Sequence, residues 1–295
     1  MIDWSAASIL DRSEEHRDDA GWVEQQWRSP DAVLLPVGPG GRLPVGPGPA
    51  LRFAPTAGDL DPATTHLLGV AAGRPVFCRV VDEVTGETAT VREIGHRLAE
   101  DQADVAFCAT SLANWHRIEP RCTACGALTD PRRAGLMRHC PECGRDTWPR
   151  TDPAVIVAVT NAADEILLAH QPVWAAGRVS VLAGFVETGE SLEQAIHREI
   201  LEESGIRLGD LCYVASQPWP YPRSLMLGFR AAAVTTRITV DAEELAWGRW
   251  FGRADVRAGW ADGSLVLPPR SSIARRLIED WLGEDGQGPL ERVPA

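Results

Sequence analysis

Gly184-Phe185-Val186-Glu187-Thr188-Gly189-Glu190-Ser191-Leu192-Glu193-Gln194-Ala195-Ile196-His197-Arg198-Glu199-Ile200-Leu201-Glu202-Glu203-Ser204-Gly205-Ile206 decides how the rest of the chain is read. Ser191 with Gln194 three residues on is a capping-box start, and Leu192, Ile196 and Ile200 recur at helical spacing. Gly205 stands where a C-terminal glycine stops a helix. The spacing therefore predicts a helix from about Ser191 to Ser204. At about 100° per residue, Glu199, Glu202 and Glu203 fall within one arc beside the apolar stripe that seats the helix on a sheet. Three carboxylates pointing at one spot repel one another, and a hard divalent cation such as Mg2+ or Mn2+ makes such a cluster tolerable while also binding phosphates.

A solvated, Glu-rich helix face is the commoner meaning of such a pattern. Here, however, Gly184, Glu190, Arg198, Glu199, Glu202, Glu203 and Gly205 all hold fixed spacings, and at about 7% per residue type that arises on the order of once in 10^8 positions. The segment resembles the Nudix box, the catalytic motif of hydrolases that cleave nucleoside diphosphates linked to another group.

The composition bounds the alternatives. The chain has 295 residues, 44% of them hydrophobic, which is long enough for more than one globular domain. Its 29 basic residues against 41 acidic ones give −12, which disfavours a long nucleic-acid tract and suits a small anionic ligand held through metal ions. Every basic residue is Arg, and with no Lys, P-loop and Schiff-base chemistry are excluded. Met1-Ile2-Asp3-Trp4 has no basic region followed by an apolar run, and no apolar stretch reaches spanning length, so a cytoplasmic protein without membrane attachment is expected.

Ahead of the box, Cys122-Thr123-Ala124-Cys125 and Cys140-Pro141-Glu142-Cys143 form two CxxC knuckles fourteen residues apart. That spacing fits one structural Zn2+ in a closed four-thiolate site better than two disulfides or a redox pair. Cys78, Cys108 and Cys212 are isolated and read as buried apolar thiols. Seven Arg between Arg117 and Arg150 face four acidic residues; they could contact phosphate, although the solvated face of a ribbon is the favoured reading.

The remaining pattern is mixed. Ala32–Pro36 and Pro75–Val81 read as strands, Pro36–Pro49 as a Gly/Pro-rich connection, and Val105, Cys108, Leu112 and Trp115 as one helical stripe. Strands are expected at Ala154–Thr160, Glu165–His170, Val179–Phe185, Leu225–Thr235 and Trp247–Phe251, with a closing helix at about Ser272–Leu282. The expected organisation is an N-terminal α+β domain (1–118), a zinc ribbon (119–149) and a C-terminal α/β domain (150–295), which the resemblance implies to be a Nudix α/β/α sandwich.

Beyond the box, Ser216-Gln217-Pro218-Trp219-Pro220-Tyr221-Pro222-Arg223-Ser224 places Pro at every second position from 218 to 222 and reads as a stiff loop displaying Trp219 and Tyr221. Such rings could stack on a base or nicotinamide, or pack on the core; the residues alone leave both open. The segment is similar to the SQPWPFPxS signature of the NADH pyrophosphatase subfamily, with Tyr221 in place of Phe, and the four-Cys ribbon is that subfamily's arrangement too. The resemblance implies a homodimer that hydrolyses NAD(H) to AMP and NMN(H) with Mg2+ or Mn2+, and it extends to removal of NAD caps from RNA 5′ ends, which would recruit the ribbon's Arg residues. Carried onto this chain, it makes Glu199, Glu202 and Glu203 metal ligands and catalytic residues, with Glu203 the base. It adds Glu244 of Asp241-Ala242-Glu243-Glu244-Leu245 as a further ligand, and Phe185, Gln217, Trp219, Tyr221 and Ser224 as substrate contacts. Arg198, four residues before Glu202, is expected to pair with that carboxylate. The competing readings are hydrolysis of ADP-ribose or dinucleoside polyphosphates, and a zinc-ribbon RNA-binding protein with an inactive Nudix domain.

Overall fold

In the computed structural model, residues 6–48 and 50–283 are described. Met1–Trp4, Pro49 and the end of the expected catalytic domain lie outside them. The chain divides into two units, one built from residues up to 151 together with 219–223, the other from 152–218 and 224 onward.

The first unit holds α1 (Ala20–Trp27), β1 (Val33–Val37), β2 (Leu43–Pro44), β3 (Ala54–Pro55), β4 (Thr65–Ala71), β5 (Arg74–Val80), β6 (Thr88–Ala89), α2 (Val91–Ile94) and α3 (Glu100–Ile118). Its main sheet runs β3-β1-β5-β4. Alternation along each strand sends Leu35, Val37, Val76 and Cys78 into a core with Val105, Phe107, Leu112 and Trp115 of α3, while Leu34, Leu67 and Phe77 pack on Trp27 of α1. That two-sided burial produces the apolar runs in the sequence. Cys78 is buried as expected, whereas Cys108 and Cys212 are only half-buried, and Arg12 Nη1 donates to Cys108 Sγ at 2.6 Å.

The same unit carries a small antiparallel sheet of β7 (Asp130–Arg132) and β8 (Met137–His139), between the cysteine knuckles, and β9 (Asp146–Thr147), just after the second. Its attachment is a buried polar stack. His66 of β4 lies on His116 of α3 with centroids 3.8 Å apart. Arg138 Nη1 donates to His116 Nδ1 (2.9 Å), so Nε2 carries the proton and donates to Gly135 O (2.8 Å). Burial, then the neighbouring Gly135 carbonyl and Arg138, act on His116, and the balance holds it down at about 4.

The second unit comprises β10 (Asp152–Thr160), β11 (Ile166–His170), β12 (Leu182–Phe185), α4 (Leu192–Ser204), β13 (Leu208–Trp219), β14 (Ser224–Ala233), β15 (Trp247–Phe251), α5 (Arg253–Asp262) and α6 (Ile273–Gly283). Its sheet runs β13-β14-β10-β11-β15, with β12 also on β10. Central β10 pairs in parallel with β14 from Asp152↔Ser224 to Thr160↔Ala232. Val155, Val157 and Val159 face Ile196 and Ile200 of α4; Ile156 and Ala158 face Val256 of α5 and Ile273, Leu277 and Ile278 of α6. Helices thus cover both faces, giving the expected α/β/α sandwich.

One expectation is corrected here. Ser216–Pro218 is the end of the twelve-residue strand β13, not a loop, so only 220–223 turn the chain into β14. Pro218 interrupts no ladder because β13 is an edge strand of the sheet. Among the described residues no helix is long and apolar enough to cross a membrane.

Candidate active site and metal centre

α4 begins where its sequence says it should. Ser191 Oγ accepts from Gln194 N (3.2 Å), Gln194 Oε1 accepts from Ser191 N (2.8 Å), and Gly205 ends the helix at φ 71°. The helix lies so close to β12 that a Cβ on Gly184 would come within 1.9 Å of Glu199 Cδ. The box glycine therefore makes room for a carboxylate.

Arg198 organises the loop ahead of the helix. Its Nε and Nη2 donate to the two oxygens of Glu190 at 2.6 and 2.8 Å, Nη2 also to Phe185 O (3.0 Å), and Nη1 reaches Glu199 (2.9 Å) and Glu202 (3.2 Å). The expected pairing with Glu202 is present, but the bidentate grip is on Glu190, whose carboxyl is pulled to about 2 by that guanidinium and by the Glu187 amide. Glu190 lies outside the helix, so periodicity could not reveal this contact; the box spacing was the available signal.

Glu203 is 7% exposed. Burial, then the nearby charges of Glu199 and Glu244, a hydrogen bond to Glu244 and the charge of Asp241 push its carboxyl up to about 8. Glu199 is raised by burial, offset by Arg198 and reinforced by Glu202 and Glu244. Glu244 arrives through helix capping: Thr239 N donates to Ser204 O (2.8 Å) and Asp241 N to Glu203 O (3.1 Å), covering carbonyls that α4 leaves unpaired. Glu199, Glu203 and Glu244 thus share one electrostatic neighbourhood, while Glu202 is exposed beside Arg198. Hard oxygens that push one another's carboxyls up are the donors a divalent cation takes, although among the described residues only the four cysteines gather as a ready set of metal ligands.

The substrate candidates separate. Phe185, directly before the box loop, is 56% exposed. Gln217 is 2% exposed and both ends of its amide are used, donating to Ser271 O and accepting from Ile273 N at 2.6 Å each. It ties β13 to the start of α6. Ser224 is buried at the start of β14, opposite Asp152. Trp219 and Tyr221 are half-buried within the first unit, ring centroids 5.2 Å apart at 64°, and Tyr221 also packs against that unit's core.

In the ribbon all four sulfurs lie within 4.8 Å of one another, with Cys122–Cys143 at 3.6 Å and Cys125–Cys140 at 3.5 Å. Bonds of about 2.3 Å to one tetrahedral ion would set sulfurs ~3.8 Å apart, so the cluster fits a zinc ion with little movement. The amides of Ala124 and Cys125 draw the Cys122 thiol down, while hydrogen bonds among the four sulfurs push Cys125 and Cys143 up, so one thiolate is shared by the cluster in the metal-free chain. Each knuckle closes the same way: Gly126 N donates to Cys122 O and Gly144 N to Cys140 O, both at 2.9 Å, with φ of 78° and 70°. The repeated Cys-x-x-Cys-Gly was legible in the sequence and marks both turns. Three of the seven arginines from 117 to 150 are committed to protein, Arg138 to Thr129 and His116, Arg133 to Glu14 and Asp18, and Arg117 of α3 to Val37, Gly38 and Val81, while Arg121, Arg132, Arg145 and Arg150 are exposed.

A box helix with clustered carboxylates on an α/β/α sandwich defines a diphosphate hydrolase of the Nudix class, and residues 150–270 match the NUDIX domain family. The chain belongs to the Nudix hydrolases, which use divalent cations. It is 37% identical over 289 residues to the NAD-capped RNA hydrolase NudC of Mycobacterium bovis, covering 92% of each chain. It is also 40% identical over 220 residues to the NAD-capped RNA hydrolase NudC of Stutzerimonas stutzeri, covering 73% of this chain and 76% of that one. A crystal structure of a NUDIX hydrolase from Nitrosomonas europaea matches at a TM-score of 0.45 and 21% identity, covering 56% of this chain and 91% of that one.

Proposed function

We propose that this enzyme hydrolyses the diphosphate of NAD(H) to NMN(H) and AMP and removes NAD caps from RNA 5′ ends. One observation carries the reading: the carboxylate site on α4 stands in a chain colinear over nine-tenths of its length with a relative named for NAD-capped RNA hydrolysis. In this reading Glu199, Glu202, Glu203 and Glu244 would hold Mg2+ or Mn2+, with Glu202 at the exposed rim of the cluster. The bound cation would screen the diphosphate and polarise the attacking water. Glu203 then takes that water's proton, a role open to it once a bound cation offsets the burial and the neighbouring carboxylates that push its carboxyl up in the metal-free chain. The water oxygen bonds to one phosphorus, the bridging P–O bond breaks, and AMP and NMN(H) leave. Phe185, Gln217, Trp219, Tyr221 and Ser224 are the substrate contacts of this reading, the three rings being suited to stacking.

The four cysteines hold one structural Zn2+ per chain, and residues 1–118, 119–149 and 150–295 act as N-terminal domain, ribbon and catalytic domain. We further propose a homodimer working in the cytoplasm. The test is a panel of NADH, NAD+, ADP-ribose, a dinucleoside tetraphosphate and NAD-capped RNA, with products identified by mass. NADH and capped RNA should give the highest kcat/KM. A clear preference for ADP-ribose would replace this reading with its nearest rival.

A further inference from the structure

Residues 219–223 follow β13 in sequence, yet they pack with the first unit, and several contacts hold them there. Asn114 Nδ2 of α3 donates to Pro220 O (2.9 Å), and Arg223 pairs with Glu119. The backbone N–H of Arg92 donates to the Tyr221 hydroxyl (2.9 Å). The Arg92 guanidinium stands 4.6 Å from the Tyr221 ring centroid and 5.2 Å from that of Trp219. One residue of α2 thus grips both rings. The Arg92 amide lies in a first helical turn, where it has no intrahelical acceptor, and the Tyr221 hydroxyl supplies one. This accounts physically for the hydroxyl by which this chain departs from the Phe of the NADH pyrophosphatase signature.

We infer that Arg92 is a positioning residue for substrate recognition: it holds the Trp219–Tyr221 pair in one geometry, and supporting these rings is a task of the N-terminal domain. The inference rests on the reading of Trp219 and Tyr221 as rings that stack on the substrate. A half-exposed indole free to change rotamer must be ordered when ligand binds, and that cost weakens affinity. A cation over the faces of both rings removes much of that freedom beforehand. Arg92 itself is exposed, so its side chain carries little of the fold.

The test uses full-length Arg92→Ala, Arg92→Lys, Tyr221→Phe and Trp219→Ala, with NADH hydrolysis at saturating Mg2+ and thermal melting. Arg92→Ala should raise KM about five- to tenfold, the effect of losing two surface cation–π contacts, with kcat within about twofold of the parent. Arg92→Lys should recover most of the loss, because the cation is kept. Tyr221→Phe should raise KM by a smaller factor, and all three should melt within about 3 °C of the parent. If Trp219→Ala raises KM and Arg92→Ala does not, the inference fails while the rings keep their role. If Trp219→Ala leaves KM unchanged, the rings do not stack on substrate and both ideas fall. A matching drop in melting temperature for Arg92→Ala and Arg92→Lys, with no change in KM, would make Arg92 a plain structural residue and overturn the inference.

Discussion

Replacing Glu203 by Gln should make the metal-free protein more stable and the enzyme nearly inactive. The carboxyl is held at about 8 against 4.5 for a free group. Between those values the folded chain keeps a proton that the unfolded chain has released, so the stability contribution present below pH 4.5 is progressively lost as pH rises towards 8. At ~1.4 kcal/mol per unit, burying this acid costs about 1 kcal/mol at pH 5.5 and about 3 kcal/mol at pH 7. Gln keeps the shape, carries no charge, and can donate to Glu244 through its amide. Metal-free Glu203→Gln should therefore melt above the parent by roughly 5–10 °C at pH 7, and by only about 3 °C at pH 5.5. Saturating Mg2+ should narrow the gap, because the parent gains more from cation binding. Turnover should fall about 10^2- to 10^4-fold, the usual cost of a lost base. Scanning calorimetry after chelation at the two pH values, paired with NADH turnover, makes the measurement. A variant less stable than the parent at pH 7, or one that keeps parental kcat, would refute the argument.

Other outcomes follow from the same geometry. Brief chelation should abolish turnover, and Mg2+ or Mn2+ without added zinc should restore it; Cys122→Ser with Cys125→Ser should instead lower the melting temperature, with metal analysis of the parent finding about one zinc per chain. Recovery on zinc alone would reverse that division of labour. Gly184→Ala must displace the Glu199 carboxylate, since its new Cβ would sit 1.9 Å from Cδ; kcat should drop by about 10^2, and a parental rate would mean that Glu199 is dispensable. His116 is held at about 4 against 6.5 when free, so its stability contribution, present above pH 6.5, should be lost as pH falls towards 4, by about 3 kcal/mol. His66→Phe should soften that acid loss and cost little at pH 7, because neither nitrogen of the buried His66 ring has a partner; an unchanged acid midpoint would count against the stack as its source.

Local spacing by itself determined the box helix, its caps, the two cysteine knuckles and the strands of the sandwich other than β13. Capping, periodicity and ligand spacing are short-range constraints, written within about twenty residues. The run from Ala154 to Thr160 was legible as a buried strand because both faces of β10 are covered, so every residue there had to be apolar. Tertiary structure decided what depends on distant partners. Arg198 grips Glu190 through a loop that no periodicity describes, and Gln217 spends its amide on α6, more than fifty residues away. Pro-rich 216–218 continues an edge strand, since an edge leaves backbone donors without a ladder to complete. Helix capping carries Glu244 to Glu203, and Arg117, Arg133 and Arg138 of the basic run are taken up by carbonyls, hydroxyls and carboxylates that only the folded chain brings near. Spacing specifies which side chains share a face, but a polar group takes whichever partner the rest of the fold delivers to it.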